Sequence, residues 1–152
     1  RAVLIVTPMN DSFVDFDMLG VVDPVTLDLK RHSLYAETVW ACRKQRATNE
    51  RRQIDWVVLR NRLTTEARNR RRLDERVEAL SRKVGFRVGP GLRDRVIYRE
   101  LFPFGLTVAD LSPAIRPVAM SLQHVAARQE LRALMVALGF SGLDDQERIA
   151  AE

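Results

Sequence analysis

The sequence holds no G-x-x-x-x-G-K-[S/T] stretch and no G-x-G-x-x-G, so it has no glycine-rich loop to wrap a triphosphate or a dinucleotide. It has a single cysteine, Cys42, which excludes a disulfide framework and a cysteine-built zinc or iron–sulfur site within one chain. The cytosol is the natural compartment for such a composition. Two histidines, His32 and His124, lie far apart and in no ligand-spaced cluster, so a histidine-centred active site is not expected. Aromatic residues make up 7% of the chain and none interleaves with its main arginine cluster, which argues against base stacking on single strands. The apolar runs are a handful of residues long, too short for a membrane-spanning helix. No basic–apolar–small segment reads as a secretory signal.

What remains is the composition of one globular domain. Of 152 residues, 46% are hydrophobic and 30% charged, enough apolar material for a core. The net charge of +5 comes mostly from arginine. It bears on function only if the arginines share a face.

The run Ala2 to Thr7, dominated by β-branched residues, reads as a strand buried on both faces, the pattern of a parallel sheet. Ser12 caps a short helix, Phe13 to Leu19, stopped by Gly20. Residues 21–32 read as irregular. Ser33 caps a helix to about Arg51, with Leu34, Thr38, Ala41, Cys42 and Gln45 along one side and Cys42 expected as a small buried residue. Asp55 to Arg62 is a second buried strand. Thr64 or Thr65 opens a helix from Glu66 to Val84 whose buried stripe is Leu73, Val77, Leu80 and Val84, with Gly85 at its end. Phe86-Arg87-Val88 is a third strand, followed by a Gly89-Pro90-Gly91 turn and a brief helix from Arg93 to Leu101. Thr107 and Asp110 form a capping box. A last helix opens at Pro117 and ends before Gly139. The tail, 141–152, is polar and is expected to be disordered.

This alternation of strands and helices predicts an α/β fold with parallel pairing. Three strands are few for so many helices, and the first would expose a bare apolar edge. The expectation is therefore that 1–140 is the carboxy-terminal half of a larger parallel sheet of the P-loop NTPase type. It would have three strands and about five helices here, with the phosphate-binding Walker half preceding Arg1.

In an open parallel sheet ligands settle outside the carboxyl ends of the strands. Asn61 stands at one such end and Gly89-Pro90-Gly91-Leu92-Arg93 at the next. An Asn side chain offers a donor and an acceptor together, as the edge of an adenine requires. The glycines let backbone approach a flat ring, and Pro90 or Leu92 can pack on its face. The plain alternative is that Asn61 caps a turn and Pro90-Gly91 merely reverses the chain. On the helix from Glu66, residues Arg68, Arg71, Arg72 and Arg82 fall opposite the apolar stripe at 100° per residue. Arg68 and Arg72 lie one turn apart, suited to adjacent phosphates, and Arg93 could join them. Phosphate-only contact with duplex DNA is the form of binding this pattern fits. The plain alternative is a salt-bridged solvent face, because Asp74, Glu75 and Glu78 share the helix.

Four blocks then carry a resemblance: Val6–Gly20 (VTPMNDSFVDFDMLG), Asp55–Leu63 (DWVVLRNRL), Gly89–Leu106 (GPGLRDRVIYRELFPFGL), and Ser121–His124 with Ala127–Met135 (SLQH, ARQELRALM). In order and over most of residues 2–140, they resemble the MipZ family of division-site positioning ATPases, of the ParA/MinD deviant-Walker type. The resemblance implies ATP and Mg2+ as cofactors and an ATP-dependent homodimer. It also implies non-specific DNA, ParB and FtsZ as partners, in a nucleoid-associated bacterial cytoplasmic setting. It places the adenine contact on Asn61 and the loop Gly89 to Arg93, and the DNA contacts on Arg68, Arg72 and Arg93. A MinD-like membrane-targeting helix is the first alternative. The tail sets Asp144, Asp145, Glu147 and Glu152 against Arg148, so an anionic membrane would repel it. An iron-protein-type reductase would need cluster cysteines. A stand-alone basic DNA-binding module is the third alternative.

The family's glycine-rich loop, its magnesium-binding Ser/Thr and its Asp-rich switches are absent from these residues. Without them there is no cradle for the phosphates and no cation at the transferring phosphoryl group. The purified 152-residue chain should therefore release no phosphate from ATP above a blank, and protein-dependent release would overturn that expectation.

Overall fold

The computed structural model describes residues 3–111 and 122–140. Ala2, the expected helix start at Pro117 and the tail 141–152 lie outside them. Along the chain come β1 (Leu4–Asn10), α1 (Phe13–Asp17), β2 (Gly20–Val22), β3 (Leu29–His32), α2 (Leu34–Glu50), β4 (Asp55–Asn61), α3 (Ala67–Leu80), β5 (Arg87–Val88), α4 (Val96–Leu101) and α5 (Leu122–Ala137). The fold is α/β, with a parallel sheet in the order β1-β4-β5.

The central place of β4 explains its burial. Trp56, Val57 and Val58 are almost wholly covered because neighbours flank both edges and helices pack on the faces. β1 pairs with β4 along all seven residues, from Leu4 against Asp55 to Asn10 against Asn61. Its other edge meets no strand among the described residues. Expected to be buried on both faces, β1 is instead only partly buried, with Ile5 and Met9 packed on the core, and Val3 just before it is 62% exposed. Among the described residues β1 has one strand neighbour, which leaves its other edge bare, as the sequence pattern anticipates.

The expected stripe of α3 is buried: Leu73, Val77, Leu80 and Val84 pack with Phe16, Leu19, Trp56 and Val58 in the main core. At roughly 1.5–3 kcal/mol per buried aliphatic side chain, this stripe anchors a helix that is otherwise mostly charged. The helix closes in a π-turn, Ser81–Gly85, with Gly85 at φ +84°. Trp40 Nε1 donates to the Val84 carbonyl at 2.5 Å and Arg43 Nη1 to the Gly85 carbonyl at 2.6 Å. So α2 satisfies carbonyls that the helix end leaves without partners. A second cluster, Ile97, Leu101, Val108, Leu111 and Ala127, joins α4 to α5.

Several local expectations are corrected. Residues 21–32 are not irregular: β2 and β3 form an antiparallel hairpin. Asp23 turns it, its Oδ1 accepting from Val25 N at 2.8 Å and Thr26 N at 3.0 Å. The side of α2 carrying Leu34, Thr38, Ala41, Cys42 and Gln45 faces solvent, and Ala36 and Val39 are buried instead. Cys42 is therefore exposed, not buried. The helix expected from Arg93 begins only at Val96. Ser12 and Ser33 cap α1 and α2 as expected, and Thr107 exchanges hydrogen bonds with Asp110.

Candidate functional site

Parallel pairing brings the carboxyl ends of β1, β4 and β5 to one side of the sheet. Asn10 and Asn61 are register partners there, and Gly89 follows the last residue of β5. What holds these ends together is a buried charge. Arg60, the penultimate residue of β4, shares its strand face with Trp56 and Val58 and is buried. Its Nε donates to Asp11 Oδ1 at 2.8 Å, and its Nη1 binds Asp74 of α3. The Asp11 side chain is wholly buried, and its Oδ2 accepts from Thr64 N at 3.1 Å. Asp11 N donates in turn to the Asn61 carbonyl at 3.0 Å. One guanidinium thus ties together the end of β1, the turn after β4, and α3.

Asn61 itself is exposed. Its Oδ1 accepts from Arg62 N at 3.0 Å, closing a turn in which Arg62 takes φ +56°. The oxygen keeps a second lone pair, and the amide NH2 keeps both of its hydrogens for a ligand. The loop after β5 runs alongside. Leu92 N donates to the Arg60 carbonyl and Leu63 N to the Leu92 carbonyl, each at 2.9 Å, and Leu63 bridges to Arg93. Glycine is needed for this approach. A Cβ on Gly89 would come within 2.5 Å of Leu59 Cδ2, and one on Gly91 within 3.0 Å of the Arg60 carbonyl oxygen, which is backbone and cannot yield. The fold therefore sets Asn61 beside Pro90, Gly91 and Leu92.

Arg93 is drawn elsewhere. Its backbone N–H donates to Glu130 of α5 at 3.3 Å and its Nε lies 3.7 Å from the same carboxylate. Arg95 Nη2 donates to Glu130 at 2.6 Å. Burial alone would raise the pKa of Glu130, but the bonds from Arg95 and Arg93 outweigh it and hold the carboxyl below its usual value.

The arginines of α3 and the π-turn after it divide. Arg71 pairs with Glu75 at 3.1 Å, Arg82 with Glu78 at 3.8 Å, and Arg76 with Asp17 at 2.5 Å. These follow the salt-bridged reading. Arg68 and Arg72 are exposed and no carboxylate pairs with them among the described residues. Together with Glu66 and Asn69 they line an open depression of about 320 Å³. The Arg72 guanidinium lies 5.7 Å from the Phe13 ring centroid, so it is steadied from below while its outer edge stays free.

A family model described as ATPase MipZ matches residues 1–142. The chain belongs to the MipZ family. No curated protein matches it. An adenine fits the residues present in part, since Asn61 has free donors and a free lone pair beside a loop pressed flat by Gly89 and Gly91. The triphosphate and Mg2+ do not fit. The chain carries no glycine-rich loop, and among the described residues no three His, Cys, Asp or Glu side chains converge to hold a metal ion. No hydrolytic step can be assigned to these residues.

The sequence pattern assigns no role to Arg60 or Asp11 and sets Asp74 on a salt-bridged solvent face, whereas the fold turns it inward to Arg60. A signal existed: in Asp55-Trp56-Val57-Val58-Leu59-Arg60, the period of two puts a cation on the core face, where it must find a partner. Removing that cation leaves the Asp11 carboxylate buried with no counter-charge, held only by the Thr64 N–H. Arg60→Met should therefore cost about 3–5 kcal/mol of stability in urea unfolding. Arg87→Met, which breaks a half-exposed pair with Asp55, should cost about 1 kcal/mol or less. Equal losses would show that the Arg60 pair contributes no more than a surface contact.

Proposed function

We propose that this chain forms the adenine-facing and DNA-facing part of a MipZ-type ATPase, with the phosphate-binding loop and its magnesium ligands supplied by residues outside these 152. In that ATPase, ATP binding drives homodimerisation. The dimer binds chromosomal DNA without sequence preference, is recruited by ParB and restrains FtsZ polymerisation near the chromosome in a bacterial cytoplasm. Residues 1–140 belong to the ATPase domain and 141–152 to a polar tail. No helix among the described residues is long and apolar enough to cross a membrane.

The observation that supports this reading is that the loop Pro90 to Leu92 is hydrogen-bonded to the residues on either side of Asn61, Leu92 to Arg60 and Leu63, at the carboxyl end of a parallel sheet, where such folds hold nucleotides. In the proposed complex the Asn61 amide reads the adenine edge and the loop covers a face of the ring. Arg68 and Arg72 take phosphates of the duplex. Arg93, half-exposed beside Glu130, contributes to either edge of that surface.

Two variants in the intact ATPase test the two halves of the proposal. Asn61→Ala removes the hydrogen bonds to adenine, so ATP should bind about tenfold more weakly, a loss of about 1–1.5 kcal/mol, in a protein that remains folded. Unaltered ATP affinity would remove Asn61 from the site. Arg68→Ala and Arg72→Ala should each weaken binding to any duplex and reduce the slope of log K against log salt by about 1. Retention on DNA that is identical across a salt series would exclude both arginines.

A further inference from the structure

Asp74 is out of place on a surface meant for phosphates. It stands two residues from Arg72, and a carboxylate there repels the very anions that Arg68 and Arg72 would attract. Yet its side chain turns inward to the Arg60 guanidinium and is only half-exposed. The geometry of α3 explains what this contact does. At 100° per residue, Asp74 lies about 100° to one side of Leu73, at the flank of the buried stripe. Arg76 and Arg72 lie on the opposite flank. Arg76 is bound to Asp17 of α1 at 2.5 Å, and both arginines lie over the Phe13 ring, at 5.4 and 5.7 Å. The helix is therefore gripped on both flanks of its apolar stripe, and its rotation about its own axis is fixed. Greasy contacts alone do not fix rotation so closely, because the buried stripe is flanked on both sides by long, mobile side chains.

We propose that Asp74, through Arg60, is a positioning residue for the Arg68/Arg72 surface: it holds α3 at the rotation that presents those two guanidinium groups together. Because Arg60 is itself locked to Asp11, and Asp11 to Thr64 N and the Asn61 carbonyl, the same grip ties the arginine surface to the end of the sheet where adenine is read. This inference rests on the DNA reading above.

Electrostatics and positioning predict opposite signs, which makes the test decisive. The intact ATPase, with ATP present, would be titrated with a short mixed-sequence duplex over a salt series. Glu75→Gln removes an equal charge from the same helix but one engaged only with Arg71, so it should tighten binding by about twofold. Asp74→Asn should instead weaken binding by about two- to fivefold, the fold-change that corresponds to losing one partly exposed ion pair. It should also flatten the salt slope, because the two arginines no longer reach phosphates together. Asp74→Glu, which can still reach Arg60, should restore both. Tighter binding for Asp74→Asn, matching Glu75→Gln, would overturn the proposal. So would weaker binding with an unaltered salt slope, since that is what a smaller folded fraction produces. If the unaltered ATPase does not bind the duplex at all, the DNA reading fails first, and this inference fails with it.

Discussion

A guanidinium group cannot be left uncompensated inside a protein, and that constraint organises this molecule. Arg60 falls on the core face of the central strand because strand side chains alternate, and the apolar residues around it occupy the same face. Desolvating its charge would cost several kcal/mol without partners. Two carboxylates supply the partners, Asp11 in the turn after β1 and Asp74 in the middle of α3, and Asp11 is held in turn by Thr64 N after β4. Each must be within hydrogen-bonding distance for the core to close. The demand of one buried cation therefore sets the relative positions of exposed groups on both sides of it, Asn61 at the sheet end and the arginines of α3.

Much of the architecture was legible because burial on a strand or helix leaves a period in the sequence. The apolar run of Trp56 to Leu59, the Leu73/Val77/Leu80/Val84 stripe and Gly85 each carry their own explanation, and the structure agrees with all of them. The hairpin β2–β3 was not legible, because strands of three and four residues are too short to display a period. Neither was the true inner face of α2. Its apolar residues are spread around the helix, and only Ala36 and Val39 are buried. Its attachment depends instead on Trp40 and Arg43 reaching carbonyls more than forty positions along the chain. No local pattern encodes such a partner.

The candidate site divides along the same line. That Asn61 and the loop after β5 lie at strand ends follows from the order of elements. That the loop packs against the end of β4 depends on Gly89 and Gly91 admitting Leu59, Leu63 and the Arg60 carbonyl, a matter of van der Waals fit that spacing alone does not reveal. On α3 the mixture of charges allowed either a neutralised face or an exposed cationic one. The folded chain contains both: Arg71, Arg76 and Arg82 have found carboxylates, and Arg68 and Arg72 have been left facing outward.

The two tryptophans sit in environments so different that they divide the molecule for spectroscopy. Trp56 is sealed among Tyr35 and Phe86 with its N–H on Thr7, so its emission reflects the dryness of the sheet core. Trp40 is partly open to water beneath the Arg43 guanidinium, with its N–H on the last turn beyond α3. Its red-edge fluorescence therefore follows the docking of α2 against that turn. A quencher that cannot penetrate the core silences one indole and spares the other, which gives separate optical handles on the seating of a helix and the integrity of the sheet without any added label.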